Sequence, residues 1–215
     1  RVETGEPYMI NIDTCNKALP KQQKDLGLKI RQSNLCSEIT LPTNEERTAV
    51  CCLSSVNLEH FDDWSKEDMF IQDLITMLDN VLQHYIDNAI DTTQLGEYSA
   101  NFKRFQKYVR EGQEGYAKSA YSAYRERSLG LGAMGFHAYL QSRGIPFEGI
   151  FATGFNHKAF TYIKTKAKAA TQELATERGE APDIHGSGKR NANLLAIAPN
   201  ASSGIICSGT SPSIE

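Results

Sequence analysis

No apolar stretch in the 215 residues approaches the ~20 that a membrane-spanning helix needs. Nothing reads as a signal peptide. The five cysteines are an odd number at irregular positions (15, 36, 51, 52 and 207), which argues against a secreted disulfide framework. None belongs to a paired C-x2-C spacing with histidines nearby, so the pattern of a structural zinc site is missing. Charge of one sign is not in excess either. A formal net charge of −3 is no footprint for duplex nucleic acid. Internal repeats and low-complexity tracts are absent. What is present is ordinary: 40% hydrophobic and 23% charged residues, enough for one globular domain with a sizeable core. With no disulfide pattern, a reducing, cytosol-like compartment is the default.

The chain opens at Arg1 without a methionine and stops at Glu215, so it reads as a segment of a longer or a split polypeptide. Tyr8 to Ile12 reads as a short strand followed by a turn. Lys17 to Lys29 is polar and reads as loop. Ile30 to Leu41 reads as a strand ended by Pro42, and Ala49 to Leu58 as a second extended segment. Lys66 to Ile90 is a helix, with Phe70, Leu74, Leu78, Val81, Leu82, Tyr85 and Ile86 at helical spacing and Asp62, Asp63 and Ser65 as possible N-terminal caps. Thr92 to Tyr124 has tyrosines and basic residues that would suit nucleic-acid contact, but the acidic balance favours a solvated helix or loop. Phe155 to Arg178 is a helix closed by Gly179. Gly186-Ser187-Gly188 is a turn. Leu194 to Ala198 reads as a buried strand. Strands alternating with helices predict an α/β fold with parallel strands, open or closed into a barrel.

Three groups stand out in the first motif. Asn34, Cys36 and Glu38 are spaced by two, which in an extended strand puts an amide, a thiol and a carboxylate on one face. A buried free cysteine on a polar edge strand would have the same spacing. Gly130-Leu131-Gly132-Ala133-Met134-Gly135 matches G-x-G-x-x-G, but no apolar strand precedes it, so close packing where a helix begins is the better reading than a dinucleotide site. Pro199-Asn200-Ala201-Ser202-Ser203-Gly204 is a small, hydroxyl-rich loop directly after an apolar run, able to turn N–H and O–H donors toward an anion.

Taken in order, these segments resemble the large, catalytic subunit of ribonucleotide reductase. Ser33 to Ile39 looks like that family's thiyl-radical segment. Val50 to Leu58 looks like the segment bearing one of its reducing cysteines. Arg127 to Gly135 is similar to its glycine-rich helix start, Ala198 to Ser203 to its substrate-phosphate loop, and Ser211 to Glu215 to an interrupted next motif. Leu35 and Ser37 resemble the class I enzymes; cobalamin-dependent relatives typically carry proline and glycine there.

The resemblance implies part of a ten-stranded α/β barrel, with a central finger loop carrying the radical cysteine. Residues 1–215 would be one segment of that catalytic domain, without the ATP cone and the C-terminal tail. The implied reaction is reduction of ribonucleoside diphosphates to 2′-deoxyribonucleoside diphosphates, supplying DNA precursors. Cys36 would be the transient thiyl, Glu38 the base for the 3′-hydroxyl, and Asn34 the group orienting the reacting hydroxyls. Cys51 would be one half of the redox disulfide, its partner outside this chain. Asn34, Leu35, Cys36, Ser37 and Glu38, with Pro199, Asn200, Ala201, Ser202 and Ser203, would contact the substrate. Some relatives have glutamate where Ala201 stands, which leaves a backbone role there. Cys15, Cys52 and Cys207 read as structural, buried thiols. No cofactor or metal is expected on this segment. The radical would come from a metal-containing small subunit, and nucleotide effectors would bind elsewhere. Thioredoxin or glutaredoxin, the rest of the large subunit and a second large subunit are the expected partners, in the cytoplasm and without nucleic acid or membrane. Alone the segment would not turn over. A non-catalytic accessory fragment and a cobalamin-dependent segment are the alternatives.

Overall fold

The computed structural model describes residues 3–5, 7–95 and 101–215. Two parallel strands form its centre. Strand β1 (Leu53–Asn57) runs beside β2 (Gly130–Met134), in register from Leu53 opposite Gly130 to Asn57 opposite Met134. Helices α1 (Ile12–Ala18) and α2 (Lys21–Asp25) precede β1. Four more, α3 (Phe61–Trp64), α4 (Phe70–Ala89), α5 (Phe102–Gln106) and α6 (Ala117–Glu126), lie in the crossover to β2. Helices α7 (Phe136–Ser142), α8 (Ile150–Arg178) and α9 (Ala201–Ile206) follow. A parallel pair needs such a long connection, and the helices cover the sheet. No helix among the described residues is long and apolar enough to cross a membrane.

A third extended segment follows the other edge of β2. The Leu129 and Leu131 N–H groups donate to the carbonyls of Asn193 and Leu194 at 2.9 and 2.8 Å, and Leu131 forms a parallel bridge with Leu195. The expected strand at 194–198 is therefore extended, but it is not buried: Leu195 is 38% exposed. The glycines of the G-x-G-x-x-G run explain how closely the layers approach. A Cβ on Gly132 would meet the Ala196 carbonyl oxygen at 2.2 Å, and Gly135 holds a φ of +75° at the N-terminus of α7. Two of the three glycines lie in a strand rather than at a helix start.

Helix α4 buries Ile71, Ile75, Leu78, Leu82 and Ile86 against α6 and α8. The buried stripe is rotated from the one predicted, because Val81 is exposed and Phe70, Leu74 and Tyr85 are only half-buried. Asp62 and Asp63 sit inside α3 and do not cap α4, which starts after Met69 with no side-chain cap. The predicted strand at Tyr8–Ile12 does not form. Asn11 instead caps α1, its side chain accepting the Thr14 N–H at 3.1 Å, and the polar stretch after Lys17 contains α2. Within 92–124, residues 96–100 lie outside the described residues. The rest is a largely exposed run of short helices and loop through residue 116, anchored by Phe102 and Phe105, and then α6, where Ala120 and Tyr121 are buried in the core.

Two buried ionic networks tie the crossings. Asp79 on α4 is fully buried and meets Arg127, Arg178 and Arg190, with Asn191 donating to it at 3.0 Å. Burial alone would raise the Asp79 carboxyl; the guanidiniums of Arg127 and Arg190 outweigh it and hold the group below its usual range. Asp183 pairs with Arg47 at 2.5 Å and with Arg125 at 2.8 Å. Next to this pair, Glu126 accepts from Ser122 at 3.0 Å and from Gln23 at 3.3 Å, and burial pushes its carboxyl up to about 7.

Candidate active site

The residues from Ile30 to Pro42 do not make a strand. Ile30 and Pro42 pair antiparallel and close a loop between them. At its tip the Ser37 N–H donates to the Asn34 carbonyl at 3.1 Å, and Ser37 takes a left-handed φ of +68°. The Asn34 side-chain oxygen accepts the Ile39 N–H at 3.0 Å, a local side-chain brace that competes with extended pairing. The one-face strand predicted for Asn34, Cys36 and Glu38 is thus replaced by a turn. Leu35 is 90% exposed at its tip, with Cys36 exposed beside it. Because its oxygen is committed to the backbone, Asn34 keeps its amide nitrogen as the donor available to a ligand.

Cys51 stands just before β1 and meets this loop. Its thiol is pushed up by partial burial first, and then by Glu38 and Cys36 nearby. Glu38, Cys36 and Cys51 therefore share one electrostatic neighbourhood, although their sequence positions span a loop and a strand entry. A raised thiol stays protonated near neutrality and is a poor nucleophile, but it keeps its hydrogen. Cys51 also lines a cleft of about 830 Å³ with Asn34, Ile39, Leu41 and the segment 43–49. Its neighbour Cys52 points the other way. It is buried and its thiol donates to the Leu78 carbonyl on α4 at 3.5 Å. Alternation along an extended segment accounts for the opposite fates of adjacent cysteines.

Glu38 has one carboxylate oxygen buried with no hydrogen-bond partner among the described residues. It lines a small cavity of about 60 Å³ together with Cys51, Ser128 and Asn193. On the far side of Leu53 lies a third pocket, of about 410 Å³, formed by Ser54, Ser55, Met134, Ala198, Asn200, Ser203 and Cys207. Leu53 lines both, so β1 is the shared wall between the thiol-bearing loop and the hydroxyl-rich one. Asn200 sits at a left-handed φ of +53° as N-cap of α9, and its side chain donates to the Ala198 carbonyl at 2.9 Å. Pro199, Ala201, Ser202 and Ser203 are exposed, so the Pro199–Ser203 turn presents the start of a helix to solvent. Cys15 and Cys207 are half-exposed rather than buried, and Cys207 faces this pocket.

Sequence reasoning did not single out Ser54 and Ser55 as pocket walls, nor the Asn34 brace. The Asn at the start of a short polar run was the available signal for the brace. The serines carried none, because their partners come from 198–207.

The family model described as "Ribonucleotide reductase, barrel domain" matches residues 1–187. The chain is 48% identical over its whole length to the ribonucleoside-diphosphate reductase large subunit of Invertebrate iridescent virus 3, covering 30% of that protein. It is 49% identical over its whole length to the putative ribonucleoside-diphosphate reductase large subunit of Frog virus 3 (isolate Goorha), covering 34% of it. The chain thus spans about a third of the length of these relatives. Among solved structures, the Actinobacillus ureae class Id ribonucleotide reductase alpha subunit superposes with a TM-score of 0.85 at 35% identity, over 99% of this chain and 37% of that one.

Proposed function

Because the chain belongs to the ribonucleotide reductase family and carries part of its α/β barrel domain, we propose that it holds the central part of the active site of a ribonucleoside-diphosphate reductase. The observation that carries this reading is the meeting of Cys36, Glu38 and Cys51 at one place, with Asn34 on the same loop. These are the groups that replacement of a ribose 2′-hydroxyl by hydrogen requires.

Hydroxide is a poor leaving group and a ribose C–H bond is not acidic. A radical at the 3′ carbon makes loss of the 2′-hydroxyl feasible. Cys36, exposed at a turn tip, presents its sulfur to a substrate rather than to the core, and as a thiyl it takes the 3′ hydrogen. Glu38 accepts the 3′-hydroxyl proton. Asn34 donates from its amide nitrogen to a reacting hydroxyl. Cys51 supplies hydrogen and becomes half of a disulfide whose other cysteine lies elsewhere in the large subunit. A turn, unlike one strand face, lets such groups approach a sugar from several sides, which suits several bonds to neighbouring atoms of a ring.

The turn at Pro199–Ser203 receives the diphosphate through backbone N–H groups and the Ser202 and Ser203 hydroxyls, with Leu35 and Ser37 bordering the sugar. In this reading the loop closed by Ile30 and Pro42 is the finger of a ten-stranded barrel, of which β1, β2 and 193–196 form one stretch. A metal-containing small subunit generates the radical, thioredoxin or glutaredoxin reduces the disulfide, a second large subunit completes a dimer, and the cytoplasm is the site of action.

The test uses the complete large subunit with its radical-generating partner. Cys36→Ser abolishes formation of dCDP from CDP while CDP still binds; substantial residual product would overturn the radical assignment. Cys51→Ser stops multiple turnovers and removes the active-site disulfide. Normal cycling with a thiol reductant would move that role to Cys52.

A further inference from the structure

The cavity behind Glu38 holds an arrangement that the reaction as drawn leaves unused. Glu38 lines it, and one of its carboxylate oxygens is buried with no partner among the described residues. Ser128, 6% exposed, at the entry to β2, lines the same space. The Asn193 amide donates to the Ser128 hydroxyl oxygen at 3.0 Å. That bond fills an acceptor site on Ser128 and fixes its oxygen, but leaves the hydroxyl proton to be donated elsewhere. The residues that carry a buried acceptor and an unspent buried donor thus border one space of about 60 Å³. A water needs about 10–15 Å³ of such volume and two or more polar partners, so the cavity has room and partners for one or two.

We propose that Ser128, oriented by Asn193, is a positioning residue for Glu38, acting through water held in this cavity. The hydroxyl donates to the water, and the water donates to the buried carboxylate oxygen. The carboxylate then has its inner oxygen held and its outer one directed at the substrate hydroxyl. Leaving a buried charged oxygen without a donor is costly, and water-bridged bonds are nearly as good as direct ones. Ser128 is itself well placed for this: its neighbour Arg127 is locked to Asp79 at 3.0 Å, and the Leu129 N–H is bonded to Asn193 O, so both ends of the Ser128–Asn193 pair are held by backbone as well as side chain. Thr40, on the loop that carries Glu38, borders the same cavity and is a second hydroxyl that such water can reach.

This inference rests on Glu38 being the base. Its test is steady-state turnover of the complete reductase carrying Ser128→Ala, Ser128→Thr or Glu38→Gln, with a high-resolution crystal structure of the unsubstituted large subunit. The expected result is a fall of about tenfold in kcat for Ser128→Ala, the upper scale of one lost neutral hydrogen bond, with KM for CDP unchanged. Ser128→Thr, which keeps the hydroxyl, restores the rate, and thermal melts show all variants folded. The crystal structure shows an ordered water within hydrogen-bond distance of both Glu38 and Ser128. Full activity in Ser128→Ala, or density showing the cavity without that water, overturns the proposal. A Thr variant as impaired as the Ala variant also overturns it, because the loss would then follow packing rather than the hydroxyl. If Glu38→Gln is inactive while Ser128→Ala is normal, only the water link fails. If Glu38→Gln turns over normally, the base assignment itself fails.

Discussion

Cys51 and Cys52 are chemically identical and adjacent, yet they face different surroundings. Cys52 is buried against α4, and its thiol is pushed up by burial first and then by Asp79. Cys51 is exposed to the cleft and feels Glu38 and Cys36. Replacing the carboxylate therefore has a directed effect on one thiol. Glu38→Gln removes a contribution that raises Cys51, so Cys51 alkylates a few-fold faster at pH 8 while Cys52 stays unreactive. Peptide mapping after brief iodoacetamide treatment checks both. Gly132 is a second position where one group decides. Its added methyl in Gly132→Ala would run into the Ala196 carbonyl oxygen, a backbone atom that cannot swing aside. Urea denaturation should show a loss of about 1–3 kcal/mol, the usual cost of overpacking.

Among elements, the crossing of α4 with α8 and the entry to β2 depends on Asp79. One fully buried carboxylate receives Arg127, Arg178 and Arg190 together with Asn191. Arg127 takes a left-handed φ of +46° as it leaves α6, and its ion pair holds that strained joint. Asp79→Asn leaves buried guanidiniums without their counter-charge, and such losses run to about 3–5 kcal/mol. The expected outcome is a large drop in the denaturation midpoint. Because Ser128 follows directly on Arg127, a smaller share of correctly assembled site should accompany it. The loop that carries Asn34 and Cys36 has a different support: the Ile30–Pro42 bridge, backbone bonds across its tip and the asparagine brace. Asn34 thus serves both the loop and the proposed substrate.

For the molecule as a whole, Glu126 sets a pH dependence of stability. Its carboxyl is raised from 4.5 to about 7 in the folded state, chiefly by burial. Between those values the folded protein binds the proton more tightly than the unfolded chain, so stability falls as pH rises through this window and levels off above about 7. Gln23, whose own buried side-chain oxygen has no partner, can accept a hydrogen bond from the protonated carboxyl once its amide turns over. Glu126→Gln keeps a donor there and removes the titration. Melting temperatures measured from pH 5 to 8 should therefore run flatter in the variant, with its advantage over the unsubstituted protein greatest at pH 7 and above. Parallel curves would mean that Glu126 is ionised throughout.

Much of the candidate chemistry was legible in the residues themselves. Asn34, Cys36, Glu38, Cys51 and the Pro199–Ser203 turn are local motifs, and their order along the chain carried the family resemblance. The long helices were legible too, because apolar periodicity and a closing glycine are local signals. The backbone of the reaction loop was not. Spacing by two fits a strand, but the Asn34 bond to Ile39 and the left-handed Ser37 favour a turn, and only the bridge between Ile30 and Pro42 shows which wins. The buried faces of α4–α6 and the Glu38–Ser128–Asn193 cavity lie beyond the sequence for one reason. Each depends on segments brought together across tens of residues, and burial and electrostatics act through space rather than along the chain. The sequence alone determined which reactive groups this protein possesses; the tertiary structure decided which of them share a wall.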